Sequence, residues 1–170
     1  MGESSAAPIE QIGEDGRLHI PIQLRWGDLD AFNHVNNTSM LKLLEEARVR
    51  AFWKPAPGES APATAILDSS LSAGLLTLIA RQEIQYLAPV PYQRHPLDIQ
   101  IWFGKLGGSS VDVCYEVHSD PAAEQQALYA RATTVLVLVD AKSGRPVRLS
   151  SEMRAAWQPL VAEPLTYRRG

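Results

Sequence analysis

Two carboxylates, Asp28 and Asp30, stand just beyond an alternating apolar segment, and a short polar turn carries the chain from them into an amphipathic stretch. A carboxylate facing a helix N-terminus suits attack on an acyl carbonyl: the free helix amides polarise the carbonyl, and the carboxylate activates or becomes the nucleophile. Either aspartate could supply that carboxylate, as general base on water or as direct nucleophile. The alternative is that Asp30 only caps the helix or shapes the turn. Asp28 reads as structural, bonding turn amides or Arg25. Asn37, at the helix start, offers its backbone amide, with Val35 and Asn36 as neighbours in that role. His34 reads equally as an acid–base group and as a hydrogen-bonded turn histidine.

The elements that must position these groups are legible in the pattern. Leu18, Ile20, Ile22, Leu24 and Trp26 alternate with polar residues or proline, a period-two strand over 18–26 with one buried face. Pro21 lacks an amide donor and places that strand at an edge or a bulge. From about Asn36 to Trp53, the residues Met40, Leu43, Leu44, Ala47 and Ala51 form one helical stripe, with Lys42, Glu45, Glu46 and Arg50 off it. Glu46 and Arg50 have i, i+4 spacing. Asn33, Asn36 or Asn37 is the expected N-cap, and Pro55 and Pro57 end the helix.

Residues 54–74 are rich in Pro, Ala, Ser and Gly, with a short helical turn expected near Ala65–Leu71. A connection of this length reads as a lid, a binding loop or a mobile segment. Four strands follow: 75–88, 96–105, 111–119 and 126–140, the second and third joined through Gly107-Gly108. A turn at Lys142-Ser143-Gly144 precedes a short helix over 150–157. Short hairpin links favour an antiparallel sheet, and the one long helix must bury its stripe on that sheet. The expected organisation is a tail over 1–16, one domain over 17–160, and a C-terminal tail over 161–170 that frays from Glu163.

Composition narrows the function classes. The chain has 170 residues, 45% hydrophobic and 21% charged, which suits one soluble domain with a real core. A net charge of −3 gives no nucleic-acid signature. One cysteine, Cys114, excludes an intrachain disulfide framework, and no Cys/His cluster has zinc spacing. No apolar run reaches the ~20 residues of a membrane span. The N-terminal stretch lacks a signal-peptide core, so a cytoplasmic location is expected. There is no Gly-x-Ser-x-Gly elbow, phosphate-binding Gly-Lys-Ser/Thr loop or His-Glu-x-x-His motif.

The run Trp26, Asp28, Asp30, Asn33, His34, Val35, Asn36, Asn37, closed by Glu45-Glu46-Ala47-Arg48, resembles the signature of hotdog-fold thioesterases of the 4-hydroxybenzoyl-CoA thioesterase type. That group includes the YbgC-like acyl-CoA thioesterases and, more distantly, the plant acyl-ACP thioesterases. Gln85-Tyr86-Leu87-Ala88-Pro89-Val90 looks like the family's strand ending in Pro-Val. Arg131–Thr134, then Asp140 and Gly144-Arg145-Pro146, looks like its last strand and turn. The resemblance covers about residues 18–157. It implies an α+β hotdog fold, an antiparallel sheet wrapped around one long central helix.

It also implies an acyl-CoA thioesterase that releases a free acid and CoA, with no metal and no cofactor beyond the coenzyme A of its substrate. Asp30 falls on the family's catalytic carboxylate. Glu45 falls on its helix acid, expected to position water or the Asp; surface pairing with Arg48 is the alternative. His34 matches a site His of the plant branch, although that branch has Asn where this chain has Phe32. Where the family often has Gly-Asp after Pro-Val, this chain has Tyr92-Gln93-Arg94-His95-Pro96. Arg94, His95 and Lys105, with Ser109 of the hairpin, become candidates for pantetheine or phosphate contacts. The expected partners are an acyl-CoA and a second copy of the chain, as homodimer or homotetramer, without nucleic acid or membrane span. The 54–74 loop is expected to line the acyl tunnel and set chain length. The rival from another class is a non-catalytic acyl-CoA-binding or regulatory hotdog module; a hydratase of the same superfamily ranks last.

Overall fold

The computed structural model describes residues 12–68 and 70–168. Five strands, β1 (Leu18–Ile22), β2 (Leu75–Tyr86), β3 (Leu97–Leu106), β4 (Ser110–His118) and β5 (Leu128–Asp140), form one antiparallel sheet in the order β1-β3-β4-β5-β2. The long helix α1 (Asn37–Phe52) crosses its inner face against β1 and β3, and a short helix α2 (Ser151–Trp157) follows the last strand. This is the hotdog arrangement.

Alternation builds the core. Leu18, Ile20 and Ile22 of β1, Leu97, Ile99, Ile101 and Phe103 of β3, and Val111, Val113, Tyr115 and Val117 of β4 are buried facing the helix stripe of Met40, Leu43, Leu44, Ala47 and Ala51. The stripe is the one read from the sequence. Asn36 is the N-cap, its side chain accepting from the Thr38 amide at 2.9 Å. Arg50 bonds Glu46 at 2.8 Å. Pro21 sits on β1, an edge strand, where its missing donor leaves no partner unmatched.

Several expectations change. The first strand stops at Ile22, and Trp26–Asp28 is a 3-10 turn, because Asp28 captures the Arg25 amide and guanidinium at 2.8 and 2.9 Å and bends the chain. Of the expected N-terminal tail, residues 1–11 lie outside the described residues. Residues 12–16 form a tight turn back onto β1, with Gly13 N donating to Arg17 O at 2.8 Å and Gly16 at φ 77°.

The 54–74 segment is tied down at residues 64–67. Leu67 N donates to Phe52 O at 2.9 Å, Thr64 Oγ1 to Ala51 O at 2.7 Å, and Trp157 Nε1 to Thr64 O at 2.9 Å. Trp157 in turn packs on Phe52 and Phe103. The helical turn falls at Leu71–Ala73, later than expected.

Residues 161–167 of the C-terminal tail do not fray. Residues 161–167 lie as a strap over the outer face of the sheet: Ala162 N donates to Phe103 O at 2.9 Å, Trp102 Nε1 to Glu163 O at 2.9 Å, and the Tyr167 hydroxyl meets Thr133 Oγ1 at 2.8 Å. Gly104 makes the close approach possible, since a Cβ there would lie 3.1 Å from Pro164 Cα and 2.9 Å from Cys114 Sγ. The tail reads as polar, but its ordering comes from non-local backbone partners that composition does not reveal.

Candidate active site

The loop carrying both aspartates is closed by its own backbone. Leu29 and Val35 form an antiparallel bridge, Asp30 N donates to His34 O at 2.8 Å, and Asn33 N returns to Asp30 O at 3.2 Å. Asn33 adopts the left-handed conformation at φ 62°, which Asn tolerates better than other side-chain-bearing residues. A second set of bonds fastens this hairpin to the link between β2 and β3: Val35 N donates to Val90 O at 2.9 Å, and His34 bridges Pro91.

Asp28 is buried at 2% exposure and is the loop's anchor, as its structural reading expects. Its carboxylate holds Arg25, and its carbonyl accepts from Asn36 N at 2.8 Å. Asp30 is half-buried. Its Oδ1 accepts from the Phe32 amide at 2.8 Å and the His34 amide at 3.3 Å, so it does shape the turn. Its Oδ2 has no hydrogen-bond partner among the described residues.

Asp30, His34, Val35, Asn37 and Met40 line one open depression of about 430 Å³, with Tyr86, Leu87, Ala88, Pro89 and Val90 as its opposite wall. Of the three amides considered at the helix start, two are already committed. Val35 N goes to Val90 O and Asn36 N to Asp28 O, which removes both from the role of carbonyl-polarising donors. The Asn37 amide has no acceptor among the described residues, as expected for the first helical turn. The Tyr86 hydroxyl donates to the Asn37 carbonyl at 3.3 Å.

Other candidates lie elsewhere. Glu45 faces a separate groove with Ile22, Arg25, Lys42 and Arg50, and meets Lys42 at 3.5 Å. Eight residues from Asn37, it is displaced by about 12 Å along α1 and turned by about 80°. Arg48, its expected surface partner, is instead buried and donates to the Tyr115 hydroxyl at 3.0 Å. Arg94 and His95 are exposed at the Asp30 end of the sheet; the Arg94 carbonyl accepts from Gln23 at 2.7 Å and His95 meets Asp120 at 3.5 Å. Lys105 and Ser109 sit at the opposite end of β3, roughly 30 Å away along an extended strand. One phosphate therefore cannot touch both pairs. The 54–74 loop packs at the far end of α1, about 24 Å from Asn37.

Sequence reasoning did not assign the wall Tyr86–Val90 to the site. The only signal was the Pro-Val strand ending, and nothing local ties it to a turn some fifty residues earlier.

The chain matches the family model of the thioesterase-like superfamily over residues 24–157. Solved structures share its fold. A thioesterase from Thermus thermophilus, solved with coenzyme A and Zn, is 26% identical, with 88% of this chain and 97% of that one covered and a TM-score of 0.62. YbaW from Escherichia coli, described as a probable thioesterase, is 23% identical, with 85% and 98% covered and a TM-score of 0.64. A thioesterase-superfamily protein from Jannaschia sp. CCS1 is 20% identical, with 87% and 95% covered and a TM-score of 0.69. No curated protein sequence matches significantly.

Proposed function

The chain belongs to the thioesterase-like superfamily, and from that premise we propose that it is an acyl-CoA thioesterase whose Asp30 carboxylate and Asn37 amide carry the reaction. The observation that supports this most is their convergence: Asp30, with one oxygen unpartnered among the described residues, and Asn37, whose amide is likewise unpartnered among them, line the same depression.

In this reading the thioester carbonyl oxygen accepts from Asn37 N–H at the positive end of α1. Asp30 Oδ2 takes a proton from water as the water oxygen bonds to the carbonyl carbon. Collapse of the tetrahedral oxyanion breaks the carbon–sulfur bond, giving the acid and a thiolate that recovers the proton. Direct attack by Asp30 Oδ2 is the variant in which water later cleaves the anhydride. In this reading His34, which lines the same depression, relays that proton from Asp30 to sulfur. Tyr86 and Leu87, exposed on the wall at 50% and 45%, offer apolar surface to the acyl group. Coenzyme A as the leaving group is supported by the Thermus relative solved with it; the chemistry proposed here uses only side chains and amides.

The active unit in this reading is a dimer. β2 is the other edge strand, 12 residues long, and Leu76, Leu78 and Ile79 are exposed along it at 47%, 52% and 47%. A long apolar edge seeks another strand, and a second copy supplies an identical one. Such pairing brings the partner beside Tyr86 and closes the open wall of the depression.

The test is CoA release from short, medium, long and aromatic acyl-CoAs by wild type and Asp30→Asn. Turnover lost with binding kept supports the reading. Tight binding without turnover by the wild type would instead favour the non-catalytic binding module, for which the two amide bonds held by Asp30 also speak, since they alone could explain the aspartate.

A further inference from the structure

Resting on the acyl-CoA reading, we propose that Trp26 and Tyr92 form the platform for the adenine ring of the substrate's nucleotide end, with Arg94 as the cation for its phosphates. Trp26 is 70% exposed and Tyr92 39% exposed, yet the two rings are ordered against each other, 5.2 Å between centroids and 74° between planes. That geometry makes an L-shaped notch. A flat heterocycle can lie on one ring with its edge against the other, and every base has a face to stack.

The pair has no role in the core. Trp26 belongs to the turn anchored by Asp28, and Tyr92 follows the wall residue Val90 by two positions, so the chain ties both to the two segments that line the Asp30 depression.

Charge favours a nucleotide over an apolar group at this notch. Gln23 holds the backbone of Arg94 at 2.7 Å, which brings the Arg94 segment beside the end of β1, three residues from Trp26. The Arg94 guanidinium has no carboxylate partner among the described residues. Arg25 is exposed but shared with Asp28, and His95 is shared with Asp120, so Arg94 is the cation left over for an anion. An adenine carrying phosphates has this pairing of flat ring and negative charge. An acyl carrier protein does not present it.

The experiment measures binding of coenzyme A and of adenosine 3′,5′-bisphosphate by calorimetry, and the preference for acyl-CoA over the same acyl group on pantetheine. Wild type, Trp26→Ala, Trp26→Phe and Arg94→Ala are compared, with thermal midpoints as the folding control. The expected result is about tenfold weaker binding of both probes and an equal fall in preference for Trp26→Ala, recovery in Trp26→Phe, and a loss in Arg94→Ala that shrinks with salt. Unchanged probe binding in Trp26→Ala would overturn the assignment. So would an equal loss on acyl-CoA and acyl-pantetheine, which would give the pair to the acyl group, or a wild-type preference for acyl carrier protein untouched by the variants. A wild type that binds both probes at Trp26 yet hydrolyses nothing would keep the platform and remove the hydrolase reading.

Discussion

The amide of Asn36 donates to the carbonyl of Asp28 at 2.8 Å, and this bond decides which amide at the head of α1 is free. It consumes Asn36, locks the base of the loop that carries Asp30, and leaves Asn37 as the first amide open toward the depression. The two aspartates thus divide their work: Asp28 builds the loop, and Asp30 faces the space.

That division predicts opposite phenotypes. Asp30→Asn is expected to keep its thermal midpoint within a few degrees while kcat falls by about 10²–10⁴-fold, the range for a lost general base. Asp28→Ala removes a buried carboxylate bonded to the Arg25 amide and guanidinium, at a cost of about 2–3 kcal/mol. Denaturant unfolding and steady-state kinetics on both variants check this; equal stability losses would merge the two roles.

Arg48 is 4% exposed, its Nη1 donates to the Tyr115 hydroxyl, and its Nε has no partner among the described residues. A buried cation without a carboxylate is expensive. Arg48→Met keeps the volume and removes the charge, so its unfolding free energy is expected to equal or exceed that of wild type. Arg48→Ala adds a cavity and is expected to lose about 2–4 kcal/mol. A large loss in the Met variant would reveal a counter-charge supplied in the assembled protein.

His19 lies between two carboxylates, with Nδ1 2.9 Å from Asp98 and Nε2 2.8 Å from Asp15. Burial pulls its pKa down, but the bonds and charges of Asp98 and Asp15 outweigh that and hold it above the ordinary 6.5. The folded state therefore binds the proton more tightly than the unfolded state. This contribution is full below about pH 6.5 and is lost as pH rises through the folded value. Urea unfolding between pH 6 and 9 should show wild type weakening across that window relative to His19→Gln; parallel curves would remove the effect.

Cys114 is fully buried beneath the strap, where burial pushes its thiol pKa up. It is expected to be inert to thiol reagents in the native protein. Removing residues 161–170 uncovers Trp102 and the Cys114 side of the sheet, so the truncated chain is expected to melt lower and to react. Truncation without new reactivity would mean that other residues cover the thiol.

The proposed dimer is tested at β2. Leu78→Lys puts a charge on the exposed edge, a common guard against edge pairing. Sedimentation should show a shift toward monomer, with turnover falling alongside because the wall beside Tyr86 opens. An unchanged mass would move the dimer contact elsewhere.

The elements were legible because their signals are local. A period of two in Leu18, Ile20 and Ile22 and a helical stripe through Met40, Leu44 and Ala51 follow from backbone geometry alone. The Gly107-Gly108 turn and the Asn36 cap need only neighbouring residues. The candidate site was half legible for the same reason: Asp30, His34 and Asn37 share one short loop and helix start.

By itself, then, the sequence determined an α+β antiparallel sheet with one long helix, the strand order along the chain, and a carboxylate set before a helix N-terminus. Only the tertiary structure decided which groups there remain free. Val90 and Asp28 take the amides of Val35 and Asn36, Glu45 turns into another groove, and Lys105 and Ser109 go to the far end of β3. Tyr86–Val90 arrive as a wall, and the polar tail becomes a strap. The physical reason is common to all of these. A hydrogen-bonding group or a helix face is committed by whichever distant segment reaches it first in space, and that depends on sheet register and loop closure rather than on the residues beside it in the chain.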